Sequence, residues 1–197
     1  MGVKALFKVL VLTIIYLLLV VNCSKPKSEQ ELFQQADKAL AEGKFNDAIK
    51  AYKDITRFFP KSPESGKAQF LMGITYLDKL NDSKNAEGTF KRLLKDYPDF
   101  DLERKLYDQA QDAQSNNRSE LAIKIYEQIL TLFPQSPNDY KAQFLIGFVY
   151  SEQLEDHQKA KEAYRKVVEK YPNSDLADDA EFMMKTLEAD SLPRELK

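Results

Sequence analysis

The sequence predicts an all-α fold, four helical hairpins in a row closed by a ninth helix, and three observations carry that reading. Residues 31–98 align without a gap on residues 105–172, and 25 of those 68 pairs are identical, so the chain contains a duplication. Inside each half a shorter unit repeats, marked by Phe59-Pro60, Tyr97-Pro98, Phe133-Pro134 and Tyr171-Pro172 at spacings of 38, 36 and 38 residues. In every unit an alanine is followed four residues on by an aromatic and three further by an aliphatic, offsets that place all three on one face of a helix.

Composition narrows the function classes. Among 197 residues, 29 Lys and Arg against 31 Asp and Glu leave a formal charge of -2, which is globular and too weakly basic to grip nucleic acid. One cysteine and one histidine cannot form an internal disulfide, and they leave neither a Cys/His metal cage nor a Cys–His couple. The six glycines make no dinucleotide fingerprint or phosphate loop, and no serine sits in Gly-x-Ser-x-Gly. His157 falls in a hairpin turn and is assigned no role. The chain is expected to have no catalytic residue, no metal site and no cofactor, and not to be an enzyme.

Taken in order, residues 1–22 stand apart from the repeats. Lys4 and Lys8 precede an unbroken apolar run from Val9 to Val21, too short for a roughly 20-residue membrane span and suited to a signal-peptide core. The run ends at Leu19-Val20-Val21-Asn22-Cys23-Ser24, which resembles the lipobox of bacterial lipoproteins, with Asn22 where a small residue is usual. The resemblance implies cleavage behind Asn22, lipidation of Cys23 and a polar tether over residues 23–28. Without Lys4 and Lys8 the remainder carries -4, so its net charge predicts no attraction to anionic lipid.

The repeat domain is expected over residues 29–192, with units at about 29–62, 66–100, 103–136 and 140–174, a capping helix over 174–190 and a tail at 193–197. Each unit reads as two helices. The second carries Ala48-Tyr52-Ile55, Ala86-Phe90-Leu93, Ala122-Tyr126-Ile129 or Ala160-Tyr164-Val167. The first carries a small residue, Ala36, Gly73, Ala110 or Gly147, and a glycine inside a helix costs about 1 kcal/mol against alanine, so its recurrence implies close helix approach. Gly43 and Asn117 are placed to end first helices in the left-handed conformation, and Asp82 and Asp156 to cap second helices. Each proline then stops the second helix. Ser174 is placed to cap the terminal helix, whose apolar positions are Leu176, Ala180, Met183, Met184 and Leu187.

This pattern resembles the tetratricopeptide repeat. Leu32, Ala36, Ala48, Tyr52 and Pro60 match its consensus in the first unit, and Gly73, Tyr76, Ala86, Phe90 and Pro98 in the second. Units three and four match through Leu106, Ala110, Ala122, Tyr126 and Pro134, then Gly147, Tyr150, Ala160, Tyr164 and Pro172. The chain departs from it in lacking tryptophan and in an extra turn residue in units two and four. The resemblance implies a right-handed superhelix whose first helices line a concave, partner-binding side. Carried onto this chain, the partner-binding positions are Phe70, Ile74, Tyr107, Gln111, Phe144 and Phe148, expected to form an aromatic groove for a protein or peptide.

Two bacterial envelope families share this anatomy: the outer-membrane β-barrel assembly lipoprotein, and a periplasmic coordinator of cell-wall synthesis whose repeats resemble the stretch Tyr171 to Ala180. The lipobox favours the first. The resemblance implies a lipid-anchored scaffold in the cell envelope, at the outer membrane and facing the periplasm.

Overall fold

The computed structural model describes residues 27–190, so Cys23 and the segment before it lie outside the described residues. Within them the chain forms α1 (Glu29–Ala41), α2 (Phe45–Phe58), α3 (Pro63–Lys79), α4 (Ser83–Asp96), α5 (Leu102–Ser115), α6 (Ser119–Leu132), α7 (Asp139–Glu152), α8 (His157–Lys170) and α9 (Ala177–Asp190), with no strand among them. Consecutive helices pack pairwise into hairpins, α1 on α2 through α7 on α8, with α9 laid against α8. The result is an all-α repeat superhelix.

Local chemistry sets the boundaries. Ser28 caps α1 reciprocally: its hydroxyl accepts the Glu31 N–H at 3.2 Å while its own N–H donates to the Glu31 carboxylate at 2.7 Å. Gly43 (φ 70°) and Asn117 (φ 56°) turn the odd-numbered hairpins, and the next N–H reaches five residues back, Lys44 to Ala39 and Arg118 to Ala113, each at 2.8 Å. In units two and four the extra turn residue is absorbed by a longer closure. There Asn81 (φ 52°) and Glu155 (φ 51°) take the left-handed position, and Asp82 and Asp156 reach six back to Tyr76 and Tyr150 at 2.8 Å. Asp82 and Asp156 also cap α4 and α8, accepting N–H bonds from Asn85 and Lys159. Phe59, Tyr97, Phe133 and Tyr171 end the second helices with φ between -125° and -135° and positive ψ, off the helical region as the following proline demands.

Packing follows the repeat. Ala48, Ala86, Ala122 and Ala160 are fully buried, as are Phe90, Tyr126 and Tyr164, with Tyr52 nearly so. Phe90 and Tyr164 lie against Gly73 and Gly147: a Cβ at Gly147 would meet the Tyr164 ring at 2.7 Å, and one at Gly73 would run into the Phe90 ring. The buried amides of Gln69 and Gln143 each donate to a second-helix carbonyl, Thr89 and Ala163, at 3.1 Å. Leu71 and Tyr76 touch both the first and the central core, and Tyr150 touches the central core and the last one, so apolar packing runs the length of the array.

The terminal helix starts later than the sequence suggests, at Ala177 rather than near 174. The Ser174 carbonyl takes the Ala177 N–H in a turn, and its hydroxyl is buried without a partner, so Ser174 closes a turn instead of capping the helix.

Candidate functional site

The first helices of the hairpins present the face on which the sequence places its binding residues, and the structure distributes those six residues unevenly. Phe70 is 7% exposed, stacked at tilted angles on Phe90 and Phe100 with ring centres 6.2 and 5.9 Å away. Phe144 is half-buried against Tyr164 at 5.1 Å, and Ile74 is half-buried against the central core. Tyr107 packs its ring on Tyr126 at 6.1 Å and donates its hydroxyl to the Asn138 carbonyl at 2.8 Å. Only Gln111 and Phe148 are exposed, Phe148 at 39%. Phe70 is therefore sealed in the core, Ile74, Tyr107 and Phe144 are partly covered where Gly73, Ala110 and Gly147 let the second helices come close, and Gln111 and Phe148 stand open.

Of the six, the structure brings Tyr107 and Gln111 to one hollow of about 390 Å³, and its other walls are polar. Arg104 donates from Nε to Asp101 at 2.8 Å and faces Asp108 at 3.5 Å, and Lys141 donates to the Asn138 side chain at 3.0 Å. Asp101 is held below the usual carboxylate range, first by the Arg104 guanidinium and then by the Arg104 N–H. Burial, with the Glu103 charge adding, pushes the Tyr107 phenol well above its ordinary value, so it stays a neutral donor. Sequence reasoning missed Arg104, although a signal was present: Lys67, Arg104 and Lys141 each lie six residues before the small residue of their helix.

At the opposite ends of these helices a hollow of about 620 Å³ opens between units two, three and four. Arg118 forms an ion pair there with Asp78 of the preceding unit. Burial raises the Asp78 carboxyl, but Arg118 and Lys79 outweigh it and leave it below the ordinary value. Ser119 donates to Gln153 at 2.8 Å, Gln153 donates to the Gln114 carbonyl at 3.4 Å, and Tyr126 donates to the Gln114 side chain at 2.6 Å. Together with the Asp78–Arg118 pair, these bonds join three units through polar atoms. Among the described residues there is no cluster of side chains able to hold a metal ion, and no helix is long and apolar enough to cross a membrane.

Comparison with known proteins agrees with this anatomy. The tetratricopeptide repeat family matches residues 106–136 and 141–174, and a family described as outer membrane lipoprotein matches residues 25–102. No curated protein matches. Among solved structures, a tetratricopeptide repeat protein from Parabacteroides merdae is 17% identical with a TM-score of 0.42, over 82% of this chain and 60% of that one, so the match spans less than two thirds of that relative. MamA from Desulfovibrio magneticus is 19% identical with a TM-score of 0.38, over 84% of this chain and 96% of that one. The second half thus matches two tetratricopeptide repeats, two more hairpins of the same kind precede them, and those first two units are similar to the outer membrane lipoprotein family.

Proposed function

We propose that this protein is a non-catalytic scaffold of the bacterial envelope, lipid-anchored through Cys23 at the outer membrane, that holds a protein partner on its first-helix face in outer-membrane protein assembly. The observation that carries this reading is the outer membrane lipoprotein match over 25–102, which begins two residues past Cys23 and runs through the first two units. The exposed side chains Gln111 and Phe148 are its accessible contacts, with the polar hollow beside Tyr107 supplying hydrogen bonds.

Two experiments test it. Labelled palmitate is expected to enter the wild-type chain and not Cys23→Ser; equal labelling removes the anchor. Tagged chain is expected to recover barrel-assembly components from envelope extracts, and Gln111→Ala/Phe148→Ala to recover them poorly while folding normally. Equal capture by both overturns the assignment of this face, and recovery of cell-wall synthases in their place supports the coordinator reading. Tyr107→Ala is a poorer probe, because it also removes a ring from the core and a bond to Asn138.

A further inference from the structure

The duplication supplies an internal control for surface chemistry, since each residue of 31–98 has a counterpart 74 positions on in the same fold. One surface has diverged sharply. On α2 the exposed side chains Lys50, Lys53 and Arg57 lie along one stripe, Lys61 follows in the next turn, and Phe58 stands 53% exposed with the Arg57 guanidinium 5.3 Å from its ring centre. Lys53, Arg57 and Arg92 of α4 surround a hollow of about 300 Å³ with Asp96 as its acidic wall. The counterparts of Lys53, Arg57, Phe58 and Lys61 are Glu127, Thr131, Leu132 and Gln135. The matching hollow in the second half is charge-balanced, with Glu127 and Glu162 against Lys159 and Lys166, and Leu132 is half-buried.

The ion pairs among the described residues leave this patch out: none joins Lys50, Lys53, Arg57, Lys61 or Arg92 to a carboxylate. Asp47 and Asp54 are the acidic groups on the outward side of α2. The second helix α8 carries more cations, Lys159, Lys161, Arg165, Lys166 and Lys170 against Glu162 and Glu169, but shows no exposed aromatic among them. Unpaired cations around an exposed ring match the bilayer interface, where aromatic side chains sit at headgroup level and Lys and Arg are drawn to an anionic surface. A free anion would use the cations but leave Phe58 without purpose.

We propose that this outer surface of the first two units docks on the headgroups of an anionic lipid bilayer, with Phe58 at the interface. The contact is separate from the scaffold role and does not depend on Cys23. It also revises the expectation from net charge, which averages this patch with the acidic terminal helix.

The chain contains no tryptophan, so a single introduced one reports its own surroundings. Full-length chain carrying Phe58→Trp is mixed with vesicles of phosphatidylglycerol and brominated phosphatidylcholine. Its emission is expected to shift blue and fall by about twofold, while a chain carrying Leu132→Trp stays unquenched. Adding Lys53→Glu, Arg57→Thr and Lys61→Gln, residues the second half already accommodates at these positions, is expected to restore the emission with an unchanged circular dichroism spectrum. Equal quenching at positions 58 and 132, no quenching at 58, or the same quenching without phosphatidylglycerol overturns the proposal. Relief of quenching by inorganic phosphate at constant ionic strength assigns the patch to a free anion instead, which also overturns it.

Discussion

Single atoms decide the closest contacts in this fold. Gly73→Ala and Gly147→Ala each push a methyl into a buried ring, and each is expected to lower unfolding stability by about 1–3 kcal/mol in urea titrations. Gly88, exposed in α4 with nothing within 4 Å of an added Cβ, behaves oppositely: Gly88→Ala is expected to stabilise by about 0.5–1 kcal/mol. Glu155 holds a left-handed conformation that Asn81 fills in the other half, so Glu155→Asn is expected to raise stability by up to about 1 kcal/mol. His157→Ala, at an exposed position, is expected to leave the unfolding midpoint unchanged.

Helices depend on their caps and on the tyrosines they enclose. Replacing Asp82 or Asp156 with alanine removes an N–H acceptor from α4 or α8 and is expected to cost about 1 kcal/mol each by thermal unfolding. Ala86→Leu and Ala160→Leu overpack fully buried positions and are expected to cost about 1–3 kcal/mol. Burial, with Asp37 adding, pushes the Tyr52 phenol up to about 12 from 10.0, and burial also raises Tyr107, Tyr126 and Tyr164. A phenol kept neutral in the folded state contributes stability fully below its unfolded value of 10.0, and that contribution is lost as pH rises through the folded value. The urea midpoint is therefore expected to fall steeply above pH about 10, in step with a late phenolate titration by ultraviolet absorbance.

Across the whole molecule, units are joined by shared core residues and by the Asp78–Arg118 pair. A double-mutant cycle of Asp78→Ala and Arg118→Ala is expected to give a coupling of about 1 kcal/mol. Because the Asp78 carboxyl is lowered, that coupling is present above the ordinary carboxylate value and is lost as pH falls through the lowered one. The unfolding transition is expected to stay single, since no unit closes its core alone; a resolved second transition would show the halves to be independent.

The sequence by itself determined the architecture. Apolar spacing, small residues facing aromatics and the proline after each second helix are local, repeated signals, and four copies of each left little room for another fold. Cap chemistry at Gly43, Asn117, Asp82 and Asp156 was legible for the same reason: a turn is made by neighbours in the chain. The face proposed for binding was legible only as a set of helices. Whether Phe70 or Phe148 is available to a partner depends on how far a second helix approaches, and Phe70 is sealed by Phe90 and Phe100 from other elements while Phe148 stays open. The same holds for charge. Net charge is a property of composition, and the stripe of Lys50, Lys53 and Arg57 follows from helical spacing, whereas Arg92 of α4 joins that stripe around one hollow only because both helices border α3, a placement made by tertiary structure alone.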